Sequence, residues 1–254
     1  MRSISVAGVR TEAQTFSEAL NTLLEWSKQP QKRYVSTGTA YTLVMAERHP
    51  AISAALADAD MLTADGMPLV WVQRLKGARQ AERVYGPDLM LALCRASEAA
   101  GLRHYLYGGL PGIPEKLAQA LQARFPDLRV VGLHSPAGDV LAGAPQQATV
   151  EMLNAAQADV IWVGLGSPKQ DLWMHAYRDS LNAPLLIGVG AAFDFLSGVK
   201  SQAPQWMQRR GLEWLYRLIQ EPRRLWKRYL VYNAVFVFLL IRSLLFRKGG
   251  TQRP

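Results

Sequence analysis

Short apolar runs ending in glycine or a small polar residue recur along the chain. They occupy residues 32–38 (KRYVSTG), 103–109 (RHYLYGG), 129–132 (RVVG), 159–166 (DVIWVGLG) and 184–190 (PLLIGVG). Runs that stay apolar without alternating in polarity predict strands covered on both faces, as in a parallel sheet. Segments of helical character lie between them, over residues 15–26, 42–57, 86–100, 113–125 and 146–156. Strands and helices alternating at this spacing predict an α/β fold with a doubly wound sheet. Ligands of such folds bind beyond the carboxyl ends of the strands, so the loops after Val35, Leu106, Val163 and Val189 hold the candidate site.

The end of the chain has a different pattern. Residues 209–229 mix Trp214, Tyr216, Trp226 and Tyr229 with arginines, and residues 231–246 are strongly apolar, broken by Asn233, Arg242 and Ser243. Sixteen residues fall short of the about 20 that a membrane-spanning helix needs. Basic flanks and aromatic residues fit a helix lying in or dipping into an anionic leaflet. A core helix with basic ends and a single span are the other two readings. The division expected is an α/β catalytic domain over 1–208 and a helical, membrane-associating appendage over 209–254.

Charge sharpens that division. The 254 residues carry a formal net charge of +9, and residues 209–248 hold ten Lys or Arg against Glu213 and Glu221. The body is therefore near neutral. This argues against nucleic acid and for an anionic lipid or a phosphate-rich substrate met by the tail. A mean hydropathy of -0.03 excludes a polytopic membrane protein. No secretory leader is visible at the N-terminus, which points to the cytoplasm. The single cysteine, Cys94, excludes an internal disulfide and reads as a buried thiol in a helix.

Three places could carry chemistry. Asp65 in MLTADGMPLV is either an ordinary Asp-Gly turn or a carboxylate at a strand end, where a general base would stand. Asp58 and Asp60 form an Asp-x-Asp, a possible cation site. The pair closes a helix rather than a strand, so solvated surface acids are the preferred reading. Residues 164–171 (GLGSPKQD) follow a strand and open a helix, which presents free amides to phosphate. The loop matches neither a Walker A motif nor a dinucleotide fingerprint, and an ordinary strand–helix turn is the alternative. The four histidines are scattered without metal-ligand spacing, and no serine-hydrolase elbow is present.

Several strings together resemble the WecG/TagA/CpsF family of bacterial glycosyltransferases: TADG (63–66), ERVYGPDLM (82–90), LYGGLPG (106–112), VGLGSPKQD (163–171), GVGAAFDFLSG (188–198) and GLEWLYRLIQEPRR (211–224). The resemblance covers residues 1–230. It implies a Rossmann-like fold, with a mainly parallel sheet, helices on both faces and a helical C-terminal appendage. It also implies inverting transfer from a UDP-sugar to an undecaprenyl-diphosphate-linked acceptor, with no cofactor and no required metal. Such enzymes build exopolysaccharide, capsule, teichoic acid linkage units or common antigen at the cytoplasmic face of the inner membrane.

By the same resemblance Asp65 is the base, accompanied by Thr37. Arg217 and Arg224 close over the diphosphate, with Arg228 beside them. Gln170 is the family's PKQ glutamine. Thr39, Gly108, Gly109, Gly164, Gly166 and Lys169 are the further substrate-binding expectations. The chain departs from the family pattern at Thr39 (usually Asn), Asp171 (usually Glu), Ala191 (usually Gly) and Gln202 (usually Arg); the changes at Thr39 and Gln202 bear on donor choice. Two rival functions use the same features, a nicotinamide-dependent oxidoreductase and a non-catalytic membrane-surface module. The first lacks a complete fingerprint, and the second leaves Asp65 and the arginines idle.

Overall fold

The computed structural model describes residues 2–137 and 145–245. Phe246, Arg247 and Lys248 of the basic, apolar tail lie outside the described residues. The chain opens with a hairpin, β1 (Arg2–Val6) and β2 (Val9–Ala13), then α1 (Phe16–Trp26), β3 (Arg33–Gly38), α2 (Ala40–Arg48), α3 (Pro50–Ala57), β4 (Met61–Ala64) and α4 (Met67–Leu75). Next come α5 (Gly86–Ala100), β5 (Arg103–Gly108), α6 (Ile113–Arg124), β6 (Arg129–His134), α7 (Gln147–Ala155), β7 (Val160–Gly164), α8 (Lys169–Tyr177), β8 (Leu185–Gly188) and α9 (Ala192–Leu196). The chain continues as α10 (Gln205–Arg209), α11 (Glu213–Gln220), α12 (Pro222–Trp226), a π-type turn (Lys227–Val231) and α13 (Tyr232–Leu245).

The expected α/β architecture is present. The strands form one sheet in the order β1-β2-β4-β3-β8-β7-β5-β6. Only the β1–β2 pair is antiparallel, and all other neighbours are parallel. The apolar runs fill two faces at once because successive side chains point to opposite sides. Val35, Leu106, Val160, Trp162, Leu185 and Ile187 pack with α1, α5, α6 and α9. Tyr34, Tyr105, Tyr107, Ile161, Val163 and Leu186 pack with α7 and α8 on the other face.

Local chemistry sets several boundaries. Thr15 and Glu18 form a reciprocal capping box that starts α1. Thr39 and Thr42 cap α2 in the same reciprocal way. The helix expected over 42–57 is two helices, because Pro50 lacks an N–H and begins α3 at its first turn. The hairpin β1–β2 and helix α4 were not anticipated. Asp58 and Asp60 lie before β4, at the end of the sheet opposite Asp65. There Asp58 pairs with Arg178 at 2.8 Å, and Asp60 accepts the Tyr34 N–H at 3.0 Å. Cys94 is buried, and burial raises its thiol pKa.

The C-terminal helix is fastened to the sheet domain. Phe236 and Leu239 of α13 are buried in a cluster with Ala40, Leu43 and Val44 of α2 and Leu69 and Val70 of α4. Tyr41 meets Tyr232 edge to face, and Arg242 pairs with Glu47. The opposite side of α13 is also apolar, with Val237, Phe238 and Ile241 each at least half exposed. Among the described residues no helix is long and apolar enough to cross a membrane.

Two outcomes follow from this packing. Phe236→Ala and Leu239→Ala should each cost about 2–5 kcal/mol in urea unfolding, the scale of a buried large side chain cut to alanine. Replacing Val237, Phe238 and Ile241 together by serine should leave the unfolding midpoint nearly unchanged. Asp171 is fully buried in α8, and burial pushes its carboxyl up to about 6 against the partial offset of the Ser167 and Ser36 hydroxyls. A carboxyl whose folded pKa is raised stabilises the fold fully below its unfolded pKa of 3.8, and loses that contribution as pH rises through about 6. Asp171→Asn should therefore raise Tm at pH 8 and leave it nearly unchanged at about pH 3. Each 1 kcal/mol gained is worth roughly 2–4 °C.

Candidate active site

Seven parallel strands end at one edge of the sheet, the loops after five of them meet there, and the chain after Arg209 folds across it. A cavity of about 440 Å³ lies between them. Its walls include Thr37 and Thr39 after β3, Asp65 after β4, Gly109 after β5, Gly164, Gly166 and Gln170 after β7, and Val189 to Ala191 after β8. Arg217, Arg224 and Arg228 form the opposite wall. A second cavity of about 110 Å³ adjoins it, lined by Met67, Pro68, Trp214, Tyr229 and Asn233. The two share Thr39, Asp65, Glu213, Arg217 and Arg228.

Asp65 stands where the cavities meet. Its backbone N–H donates to Gly38 O at 2.9 Å, continuing the β3–β4 register beyond the strand. Its Oδ1 accepts the Gly86 N–H at 3.3 Å, the first residue of α5. The side chain is one-fifth exposed. Burial pushes its carboxyl up to about 6; Arg83 opposes that rise and Glu213 adds to it. The Asp65 carboxyl therefore titrates close to neutrality, the range in which a carboxylate works best as a base.

Arg83 and Glu213 belong to a polar cluster around Asp65 that the sequence strings contain but did not single out. Arg83 Nε donates to the Asp65 carbonyl oxygen. Arg83 Nη2 lies 2.6 Å from Glu213 Oε2 but 4.0 Å from Asp65 Oδ1. The Tyr85 hydroxyl donates to Glu213 Oε1 at 3.0 Å, and the Arg83 guanidinium lies over the Tyr85 ring at 3.8 Å. The available signal was a charged residue inside an apolar string: Glu213 between Leu212 and Trp214, and Arg83 before Val84 and Tyr85.

The other expected residues divide into those on the cavity wall and those behind it. Thr37 Oγ1 donates to Gly188 O at 2.8 Å, tying β3 to β8 at the cavity floor. Gln170 is buried, its side chain lying against Gly188 and Gly190, and its Oε1 has no hydrogen-bond partner. Gly109 N donates to Gly164 O at 3.0 Å. Gly108 lies behind the wall. It has φ +130°, and a Cβ there would sit 2.6 Å from the Gly164 carbonyl carbon, so glycine is required for the close approach of β5 and β7. Lys169 is exposed at the start of α8 and lines neither cavity. His104 is a core residue that accepts the Trp162 indole N–H at 2.9 Å, and burial lowers its pKa to about 4.

The three arginines face the larger cavity in different electrostatic states. Arg224 pairs with Glu221, which also holds Lys200 at 2.9 Å. Arg217 and Arg228 have no ion pair among the described residues. Arg217 lies 5.4 Å from the Phe195 ring, and Arg228 lies 4.4 Å from the Tyr41 ring. Burial lowers the Arg228 pKa, and the Arg217 and Arg224 cations lower it further. Unpaired guanidiniums held together in a cavity form a ready site for a phosphate-bearing ligand. Among the described residues no three His, Cys, Asp or Glu side chains are placed to share a cation.

Comparison with known proteins identifies the family. The model of the glycosyl transferase WecG/TagA/CpsF family matches residues 4–250. An N-acetylglucosaminyldiphosphoundecaprenol N-acetyl-beta-D-mannosaminyltransferase of Bacillus spizizenii is 30% identical over 185 residues, 73% of this chain and 70% of that protein. The family model covers nearly the whole chain, and the chain belongs to the WecG/TagA/CpsF family of glycosyl transferases.

Proposed function

We propose that this glycosyltransferase moves a hexose or N-acetylhexosamine-type sugar, with inversion, from a UDP-sugar to an undecaprenyl-diphosphate-linked saccharide. Its place is the cytoplasmic face of the bacterial inner membrane, in the assembly of a cell-surface polysaccharide such as exopolysaccharide, capsule, teichoic acid or common antigen. The observation that carries this reading is the position of Asp65 on the wall common to two cavities, with unpaired Arg217 and Arg228 beside it. The relative's name supports the lipid-linked acceptor, since that protein acts on an N-acetylglucosaminyl-diphospho-undecaprenol.

In this mechanism the larger cavity takes the UDP-sugar. The loops after β5 and β7 hold the nucleotide, and Arg217, Arg224 and Arg228 face its diphosphate. The smaller cavity takes the acceptor sugar, with its lipid leaving past Trp214 and Tyr229. An acceptor hydroxyl attacks the anomeric carbon from the side opposite UDP. Asp65 takes the hydroxyl proton as the new C–O bond forms. The bond between the anomeric carbon and the phosphate oxygen breaks, and its electrons leave with UDP. The diphosphate gains negative charge in the transition state, and guanidiniums fixed in a partly dry cavity stabilise it without reorganising. The exposed Val237, Phe238 and Ile241 of α13, with the exposed basic residues before them, rest on an anionic leaflet.

Asp65→Asn should keep UDP affinity and lower turnover about 100-fold or more, measured with a soluble short-chain lipid-diphosphate sugar. Turnover within a few-fold of wild type would end the assignment of the base. The carboxyl must be ionised to act, so kcat/KM should fall tenfold per pH unit as pH drops below about 6. Activity should survive excess EDTA, because the cations facing the diphosphate are arginines. Loss with EDTA and rescue by Mg²⁺ or Mn²⁺ would show that a metal does that work.

A further inference from the structure

Arg83 is the charged group with most influence over Asp65, and its geometry is divided. Its Nε is spent on the Asp65 carbonyl oxygen, and its Nη2 is turned to Glu213 at 2.6 Å rather than to the Asp65 carboxyl at 4.0 Å. Glu213 is the first residue of α11, so this acceptor comes from the C-terminal segment and not from the sheet domain. It is held in turn by the Tyr85 hydroxyl and is almost wholly buried.

We propose that Glu213 is a positioning residue, which keeps the Arg83 guanidinium off the Asp65 carboxylate and so lets the C-terminal segment set the strength of the base. The proposal rests on Asp65 being the base. Without Glu213, Nη2 loses its acceptor, and the nearest carboxylate oxygen is Asp65 Oδ1. A full Arg83–Asp65 ion pair would stabilise the carboxylate and weaken it as a proton acceptor. With α11 seated, Arg83 is occupied, and among the described residues the Asp65 carboxyl has only the Gly86 N–H within hydrogen-bond reach. The base is thus finished by the same segment that brings Arg217 and Arg228, and only when that segment is in place.

The groups facing this cluster are few. From the segment before α5 come Arg83 and Tyr85. Asp88 of α5 lies near Arg83 and Glu213. Glu213 and Arg217 come from α11, and Arg228 from the π-type turn. Arg217 also favours the ionised form of Asp65, more weakly than Arg83 does. Removing the Glu213 charge leaves every cation in place, so the Asp65 pKa can only move down.

The test is the pH profile of kcat/KM for wild type, Glu213→Gln and Arg83→Gln, each first checked for UDP binding. Glutamine keeps the shape of Glu213, and its amide N–H₂ can donate to the Tyr85 oxygen, so the variant has a way to fold; its uncharged oxygen holds the guanidinium far more weakly than the carboxylate does, which frees Nη2 for Asp65. In Glu213→Gln the acid limb should move down by about one unit, the low end of the effect of a cation brought against a carboxylate. The alkaline plateau of kcat should fall at least several-fold, with UDP affinity kept, and Glu213→Asp should restore part of both. Arg83→Gln should move the limb up. An unmoved limb in either variant that binds UDP overturns the proposal. Loss of UDP binding in both variants also overturns it, because the trio is then a folding element. Loss of turnover in Asp65→Asn with an unmoved limb in Glu213→Gln rejects this coupling and leaves the base assignment standing. An active Asp65→Asn rejects the base itself.

Discussion

A carboxylate buried beside a cation that is turned to another acceptor is expensive, and Asp65 is held in that condition. The sheet places it beyond β4, the start of α5 gives it one backbone N–H, and Arg83 is near enough to lower its pKa but is pointed elsewhere. Burial outweighs the guanidinium, so the group sits near neutrality rather than in the usual carboxylate range. The surroundings serve this balance. β3 and β8 are tied by Thr37 at the cavity floor, and β5 approaches β7 closely at Gly108 and Gly164. The chain then returns as α11 to bring Glu213 against Arg83. Had Arg83 closed on Asp65, the carboxyl would be better stabilised and a worse base.

The returning segment is bound more firmly than its composition implies. Its apolar run reads as one surface, yet α13 has two. Phe236 and Leu239 complete the core formed by α2, α4 and the β1–β2 hairpin, while Val237, Phe238 and Ile241 point away from it. A helix apolar on all sides needs an apolar environment on all sides. Here the domain supplies one half, and the proposed leaflet supplies the other. On that proposal a single helix would tie the position of the Asp65 cluster to the plane of the membrane.

Much of this was legible in the sequence, and the omissions have physical causes. The strands on β3, β5, β7 and β8 announce themselves because both faces are buried, which leaves continuous apolar runs closed by glycine. The edge strand β1 and its hairpin partner β2 are not legible that way. Their burial is mixed, and charged residues such as Arg10 and Glu12 interrupt them. Helix α4 was hidden by its start at Gly66 and Pro68, which read as a turn until the neighbouring core is seen to cover Leu69 and Val70. Asp65, Thr37 and Gln170 were marked by family resemblance, and the structure places all three on one cavity. Arg83 and Glu213 escaped because their significance is relational. Separated by 130 positions, they mean nothing singly and acquire a role only as a 2.6 Å pair beside a third charge.

The tail's charge is the last feature that sequence counting blurs. An excess of eight cations over residues 209–248 suggests one polybasic patch, but the helical path separates it. Arg217 and Arg228 are partly buried against the cavity, Arg224 stands at its exposed rim, and Arg223 and Lys227 are exposed beside Trp226 and Leu230. Residues four apart share a helical face, so the pairs 223/227 and 224/228 form adjacent stripes with different partners. At the inward stripe Arg228 is partly buried in the cavity, where Coulomb attraction is stronger and salt screens less than at the exposed Arg224. The outward stripe meets solvent or lipid headgroups, where each charge counts for less and ionic strength counts for more. One short segment can thus grip a diphosphate and rest on an anionic surface without the two tasks competing for the same side chains.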